Sequence, residues 1–380
     1  MRKKVEPKKI LLIANQQIGD VLLSTPLLHV MRQAWPFALI DVLVYQNTAG
    51  ILAGNPDCND VITIAPRPSL KGYWQLLKRI FRRYDIAVTT QGNDRAHQYL
   101  LLAAPTRYGL IPDMSNHHRW KRAFCRAYTL LDNQLHTVMQ NNLLATAMGI
   151  PLAINSHLAI VVPKQSLKAE LSALDKLNDW LGFDIYHTDY VVIHPRPMWQ
   201  YKRWTDDGWR SLLQHIIASG KRVVLTGGPL AEEQDYCEQL ANLNTSNCVS
   251  VAGKTDFAIL TTLLQNANAY VGPDTVTTHL AAACATPTLA IFGPSNPVKW
   301  GPWPFNHHTR HSPWKNTAAL QSVGNVILLQ GVGDCVPCHK AGCDNHNNSE
   351  SRCLNELPAH RVITAFNALL SDLPVSPLVA

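Results

Sequence analysis

Short apolar runs alternate along the chain with longer segments in which apolar residues return every three or four positions. The first kind reads as buried strand and the second as amphipathic helix. In the first half, KILLIA (Lys9–Ala14), LIDVLVY (Leu39–Tyr45), VITIA (Val61–Ala65) and DIAVTT (Asp85–Thr90) predict strands, with helices over Gly19–Ala34, Lys71–Arg83 and Leu135–Met148. The pattern then restarts with YVVIHP (Tyr190–Pro195), KRVVLTGG (Lys221–Gly228), CVSVAG (Cys248–Gly253), AYVGPD (Ala269–Asp274) and TLAIFGP (Thr288–Pro294). Its helices are expected over Asp206–Ser219, Ala231–Ala241, Asp256–Ala267 and Thr278–Ala285. Such alternation builds parallel sheets covered by helices, and its restart predicts two doubly wound α/β domains facing across a cleft. The expected division is a first domain at 1–165, a linker at 166–188, a second domain at 189–334 and a Cys-rich segment at 335–357. A C-terminal helical segment at 358–380 would pack back on the domains.

Length and charge narrow the classes. A chain of 380 residues can bury two cores, and 46% hydrophobic with only 16% charged residues is the composition of a folded globular protein. The excess of 34 Lys and Arg over 27 Asp and Glu, net +7, favours anionic ligands or an anionic membrane face. No groove-reading or base-stacking motif accompanies it, so nucleic acid is not the expected partner. The apolar run Ile10–Ala14 is too short for a signal peptide, and no stretch reaches the roughly 18 to 20 apolar residues of a membrane span. The expectation is a cytoplasmic protein with peripheral membrane contact.

In doubly wound folds ligands bind outside the carboxyl ends of strands. Two such ends carry polar turns here: Asn15–Thr25, and VGPDTVTTHLAAACA after the strand ending near Gly272. Asp274 reads as the cap of the following helix, whose first amides lack partners and suit a phosphate. His279 lies one turn further in.

Taken together, IGDVLLSTPLLHVMRQAWP (Ile18–Pro36), VVIHPRPMWQYKRW (Val191–Trp204), VVLTGGPLAEEQ (Val223–Gln234) and Val271–Trp303 resemble glycosyltransferase family 9, the ADP-heptose:lipopolysaccharide heptosyltransferases. The resemblance runs from about Ile10 to Trp303. It implies the GT-B arrangement of two Rossmann-like domains, with a nucleotide-sugar donor on the C-terminal domain and a lipid-linked saccharide acceptor on the N-terminal one. Asp20, in IGD, matches the family's catalytic base, which takes the proton of the attacking hydroxyl. Lys202 matches its phosphate-binding lysine, with Arg203 an adjacent candidate. Asp274, Thr275, Thr277, Thr278 and His279 match the donor-site turn, and Glu232 or Glu233 a glutamate near the donor's ribose or sugar. Catalysis would then be inverting and need no metal cofactor. Two positions depart from the usual pattern: Val276 stands where a small residue is common, and Arg196 follows His194-Pro195 where glycine is common.

For an acidic glycolipid acceptor, Arg79, Arg82 and Arg83 on one helix and Arg119, Lys121 and Arg122 on another segment form a candidate basic rim. Cys335, Cys338, Cys343 and Cys353, spaced C-x2-C-x4-C-x9-C, suit a structural zinc remote from the reacting groups or remain reduced thiols. Three further readings stay open: another nucleotide-sugar donor in the same family, a non-catalytic nucleotide-sugar-binding or regulatory protein, and a dehydrogenase. NQQIGD after the first strand lacks the spaced glycines a dehydrogenase would carry.

Overall fold

A computed structural model describes residues 6–151, 158–307 and 311–371. The last nine positions of the expected C-terminal segment, 372–380, lie outside the described residues. The chain forms two compact units, one holding residues through Lys164 and the other the bulk of the chain from Gln165 onward.

The first unit is a six-stranded sheet of β1 (Lys9–Ile13), β2 (Leu39–Tyr45), β3 (Asp60–Ile64), β4 (Ile86–Thr89), β5 (Thr106–Ile111) and β6 (Ala127–Leu130), in the order 3-2-1-4-5-6. Every pairing is parallel. Its helices are α1 (Ile18–Leu22), α2 (Thr25–Ala34), α3 (Leu70–Ile80), α4 (Asp94–Ala103), α5 (Arg119–Phe124) and α6 (Thr137–Ala147). β1 is buried along Ile10–Ile13, as a central parallel strand covered on both faces must be.

The second unit repeats the plan with β7 (Tyr190–Ile193), β8 (Arg222–Leu225), β9 (Cys248–Ser250), β10 (Ala269–Pro273), β11 (Thr288–Phe292), β12 (Leu320–Val323) and β13 (Val326–Gln330). The sheet order is 12-13-11-10-7-8-9, with β12 antiparallel at the edge and the rest parallel. Around it lie α7 (Leu167–Leu181), α8 (Asp206–Ala218), α9 (Ala231–Ala241), α10 (Phe257–Gln265), α11 (Val276–Ala283), α12 (Pro297–Trp300), α13 (Arg352–Asn355) and α14 (Ala359–Ser371). These two units are the expected pair of Rossmann-like doubly wound domains.

The helix expected over Gly19–Ala34 is two pieces, because Ser24 and Thr25 turn their hydroxyls onto the carbonyls of Val21 and Leu22. The segment read as a linker, 166–188, carries α7, which Ser166 caps through the amide of Ala169. α14 puts Val362, Phe366 and Leu369 into the core of the second unit, and the Trp204 indole donates to the Leu357 carbonyl at 2.9 Å.

Candidate active site

In each sheet the strand order reverses once, between β1 and β4 and between β7 and β10. Connections leave such a pair in opposite directions and open a crevice outside the carboxyl ends. In the second unit the loops after β7 and β10 bring Lys202 and Asp274 together. The Lys202 ammonium lies 2.7 Å from Asp274 Oδ2 and donates to the Asp274 carbonyl at 3.1 Å. His279 Nε2 stands 4.0 Å from the other carboxylate oxygen. Burial pushes the Asp274 pKa up, but Lys202, His279 and a Ser295 hydrogen bond outweigh it and hold the carboxyl below its ordinary value. Burial moves His279 down to about 4, against the pull of Asp274, so the ring is neutral at pH 7.

Asp274 is not the cap of α11. Thr275 occupies that position and no side chain caps the helix, so the Asp274 carboxylate is committed to Lys202 instead. The helix start is thereby left to an outside acceptor, the arrangement that suits a phosphate. Thr275 and Val276 are partly exposed there, whereas Thr277 and Thr278 are buried. The Thr278 hydroxyl donates to the Pro273 carbonyl and sits 2.9 Å from the Tyr270 hydroxyl, so it braces the turn and does not face a ligand. Gly272 is required beneath it: a Cβ there would come within 2.1 Å of the Tyr270 hydroxyl.

Burial separates the two glutamates that the sequence leaves open. Glu233 is buried and accepts the Gly228 amide, which fixes the turn after β8, and desolvation raises its pKa. Glu232 is exposed and bridges Arg196 at 3.0 Å and Arg203 at 2.8 Å, and the hydrogen bonds from these guanidiniums lower its pKa. Arg196 also lies over the Tyr236 ring at 4.6 Å. Arg196 lies 3.8 Å from Asp206 as well, so the two guanidiniums share two carboxylates beside the Lys202 turn.

In the first unit Asp20 is the third residue of α1, and Gln17 holds the cap position. Asn15, between β1 and α1, is buried, and neither polar atom of its amide has a hydrogen-bond partner. Buried amides are rarely left so. The sequence marks Asn15 only as part of a polar turn, since burial is what distinguishes it.

The candidate acceptor cations divide. Arg79 pairs with Asp60 on the surface, Arg82 and Arg83 are exposed past the end of α3, and Arg119 is exposed on α5. Lys121 is buried, 2.7 Å from Asp94 Oδ1, and donates a hydrogen bond to the Gly92 carbonyl at 2.6 Å, so it ties α5 to α4. Arg122 donates to the carbonyls of Asp113 and Ser115 and holds that loop. Sequence cannot separate these roles, because the partners are backbone carbonyls brought up by the fold.

The Cys-rich segment is not remote. Ser351 Oγ donates to the Tyr201 carbonyl at 2.6 Å and the Gln200 amide to the Asn347 carbonyl at 3.1 Å, so the segment braces the turn that carries Lys202. Cys353 is buried, and its thiol is pushed up to about 11 by burial and by Cys338, Cys335 and Cys343 nearby. Among the described residues the His, Cys and acid ligand atoms gathered within 4.8 Å are those of Asp94, His117 and His118, not the cysteine sulfurs. As placed, the four thiols do not form a zinc cage, and Lys121 already occupies the Asp94 carboxylate.

The profile of glycosyltransferase family 9 (heptosyltransferase) matches residues 73–323. The chain is 28% identical over 298 residues to lipopolysaccharide heptosyltransferase 3 of Escherichia coli (strain K12), covering 76% of this chain and 83% of that one. It is 26% identical over 390 residues to lipopolysaccharide heptosyltransferase 1 of Pseudomonas aeruginosa, covering 95% and 98%. Among solved structures, a family 9 glycosyltransferase from Veillonella parvula superposes with a TM-score of 0.74 at 19% identity, over 96% of this chain and 97% of that one. The E. coli heptosyltransferase WaaC with ADP gives 0.69 at 20% identity, over 95% and 99%.

Proposed function

The chain belongs to glycosyltransferase family 9 and is a glycosyltransferase, and from that premise we propose that it transfers heptose from ADP-heptose to a lipopolysaccharide core or a related acidic glycolipid. The observation that carries the donor side is the Lys202–Asp274 pair at the reversal point of the second sheet, beside the uncapped start of α11. Lys202 and the first amides of α11 meet the diphosphate, with Arg196 and Arg203 adding charge around Glu232. The relatives named above act on lipopolysaccharide and one was solved with ADP, which supports this choice of donor and acceptor.

The proposed step is a single displacement with inversion. The acceptor oxygen forms a bond to the anomeric carbon as the bond from that carbon to the diphosphate oxygen breaks. The electron pair leaves with ADP, and the acceptor's proton passes to Asp20. Growing negative charge on the leaving diphosphate is met by Lys202 and the helix amides, without a metal in the reacting set. On the acceptor side, Arg79 and Arg119 face the core's acidic groups at the cytoplasmic face of the inner membrane, while Lys121 and Arg122 hold the surrounding loops. No helix of the described residues is long and apolar enough to cross a membrane.

Paired variants test these roles. Asp20→Asn should leave ADP affinity unchanged and cut turnover by roughly 10²- to 10⁴-fold. Lys202→Ala should weaken ADP binding at least about tenfold. Turnover of Asp20→Asn within a few-fold of wild type, or tighter binding of UDP-sugars than of ADP-heptose, would overturn the base or the donor respectively.

A further inference from the structure

α3 carries more apolar surface than its own core uses. Leu76 and Ile80 are buried in the first unit's core and Tyr73 packs against it. Leu70, Trp74 and Phe81 are 83%, 63% and 52% exposed. At about 100° per residue, Leu70 and Trp74 form a second apolar stripe turned away from the core, and Phe81 continues its line at the end of the helix. Three large apolar side chains within one short segment are more than scattered surface residues explain.

The cations sit beside this stripe. Lys71 and Lys78 are exposed along its flank, and Arg82 and Arg83 follow its end, with the Arg82 guanidinium 5.6 Å from the centre of the Phe81 ring. Arg79 takes Asp60, whereas Lys71, Lys78, Arg82 and Arg83 form no ion pair among the described residues. Trp, Leu and Phe flanked by Lys and Arg on a helix too short to span a bilayer is the composition of an interfacial helix. A second copy of this chain docked by the same face would oppose these cations to themselves, so charge argues for an anionic partner.

We propose that α3 seats the first unit on an anionic lipid bilayer, with Leu70, Trp74 and Phe81 in the interfacial layer and Lys71, Lys78, Arg82 and Arg83 on the headgroups. This rests on the reading of a lipid-linked acceptor and deepens it. A cavity of about 530 Å³ adjoins the lysine flank of α3, lined among others by Gln46, Thr63, Lys71, Gln75 and Arg79. One helix thus presents an apolar basic face and a polar pocket side by side, as an amphiphilic acceptor requires. Arg82 and Arg83, which the sequence assigns to the saccharide, bind headgroups instead.

Sedimentation with vesicles tests the proposal without donor or acceptor. The full chain should co-sediment with phosphatidylcholine vesicles containing about 30% phosphatidylglycerol and much less with phosphatidylcholine alone, the difference vanishing at high salt. The double variant Leu70→Ser, Trp74→Ser should lose at least about tenfold in partitioning, and Lys78→Glu should lose the preference for anionic vesicles. Both should keep the wild-type thermal midpoint and ADP binding. Failure of the wild type to sediment, or a double variant that sediments like wild type, would overturn the proposal. So would a wild-type dimer that these variants dissociate, in the absence of vesicle binding. Vesicle binding without heptosyl transfer would count against the functional reading alone, and transfer without vesicle binding against the docking face alone.

Discussion

At the residue scale the least replaceable contact of the donor site is between Lys202 and Asp274. Removing the half-buried Lys202 strands the buried Asp274 carboxylate, so Lys202→Ala should lower the stability of the second unit by about 3 kcal/mol in denaturant unfolding. A shift well below 1 kcal/mol would mean that water reaches Asp274 and that the pair is only a surface contact. The two glutamates should behave oppositely. Glu233→Ala orphans the Gly228 amide and should cost about 1 to 3 kcal/mol, whereas Glu232→Ala should be nearly neutral for folding and change donor affinity. Equal stability losses would contradict the assignment of Glu233 as brace and Glu232 as the exposed partner of two arginines. That Lys202 and Asp274, which the structure pairs, stand in motifs after β7 and β10 was legible. The choice between Glu232 and Glu233, the commitment of Thr278 to Pro273 and the burial of Lys121 were not, since each is decided by a carbonyl, an amide or a distant carboxylate.

At the scale of elements, the strands that the sequence shows plainly are those written as short apolar runs, the edge strands β3 and β9 among them. β2 and β10 read as near-continuous apolar runs because helices cover both faces. β5 (TRYGLI), β6 (AYTL) and β12 (LQSV) escape that reading because polar, half-exposed positions interrupt them, and the buried run of β13 (VILLQ) was missed as well. The Cys-rich segment is the largest departure. Its cysteines left a structural zinc or reduced thiols open, and the structure adds that the segment holds the Gln200–Lys202 turn through Ser351 and Asn347. Ser351→Ala should therefore cost about 1 kcal/mol and weaken ADP binding several-fold, measured by calorimetry. Unchanged ADP affinity in a destabilised variant would separate the segment from the donor site.

At the scale of the whole molecule, two neutral histidines in the second unit make its stability depend on pH. Burial alone takes His194 from 6.5 to about 4, and His279 reaches the same value although Asp274 opposes the shift. The unfolded chain takes up these protons below about pH 6.5 while the folded unit refuses them until about pH 4. Stability should be flat above pH 7 and fall as pH drops through that window, by up to about 3 kcal/mol per histidine. Asp274, whose carboxyl is held low, adds a further loss under more acid conditions. A thermal midpoint that holds steady from pH 7 to pH 5 would show these rings to be solvated. The two repeated sheets were legible as a pattern that starts twice, and the carboxyl-end rule then located both polar turns.

Transfer itself tests the central claim most directly. The purified chain would be incubated with ADP-heptose and a heptose-deficient lipopolysaccharide core, and the acceptor weighed by mass spectrometry while released ADP is quantified. Addition of one heptose per acceptor, matched by one ADP and lost in Asp20→Asn, is the predicted result. A folded chain that binds neither ADP nor ADP-heptose and leaves the acceptor mass unchanged would contradict it.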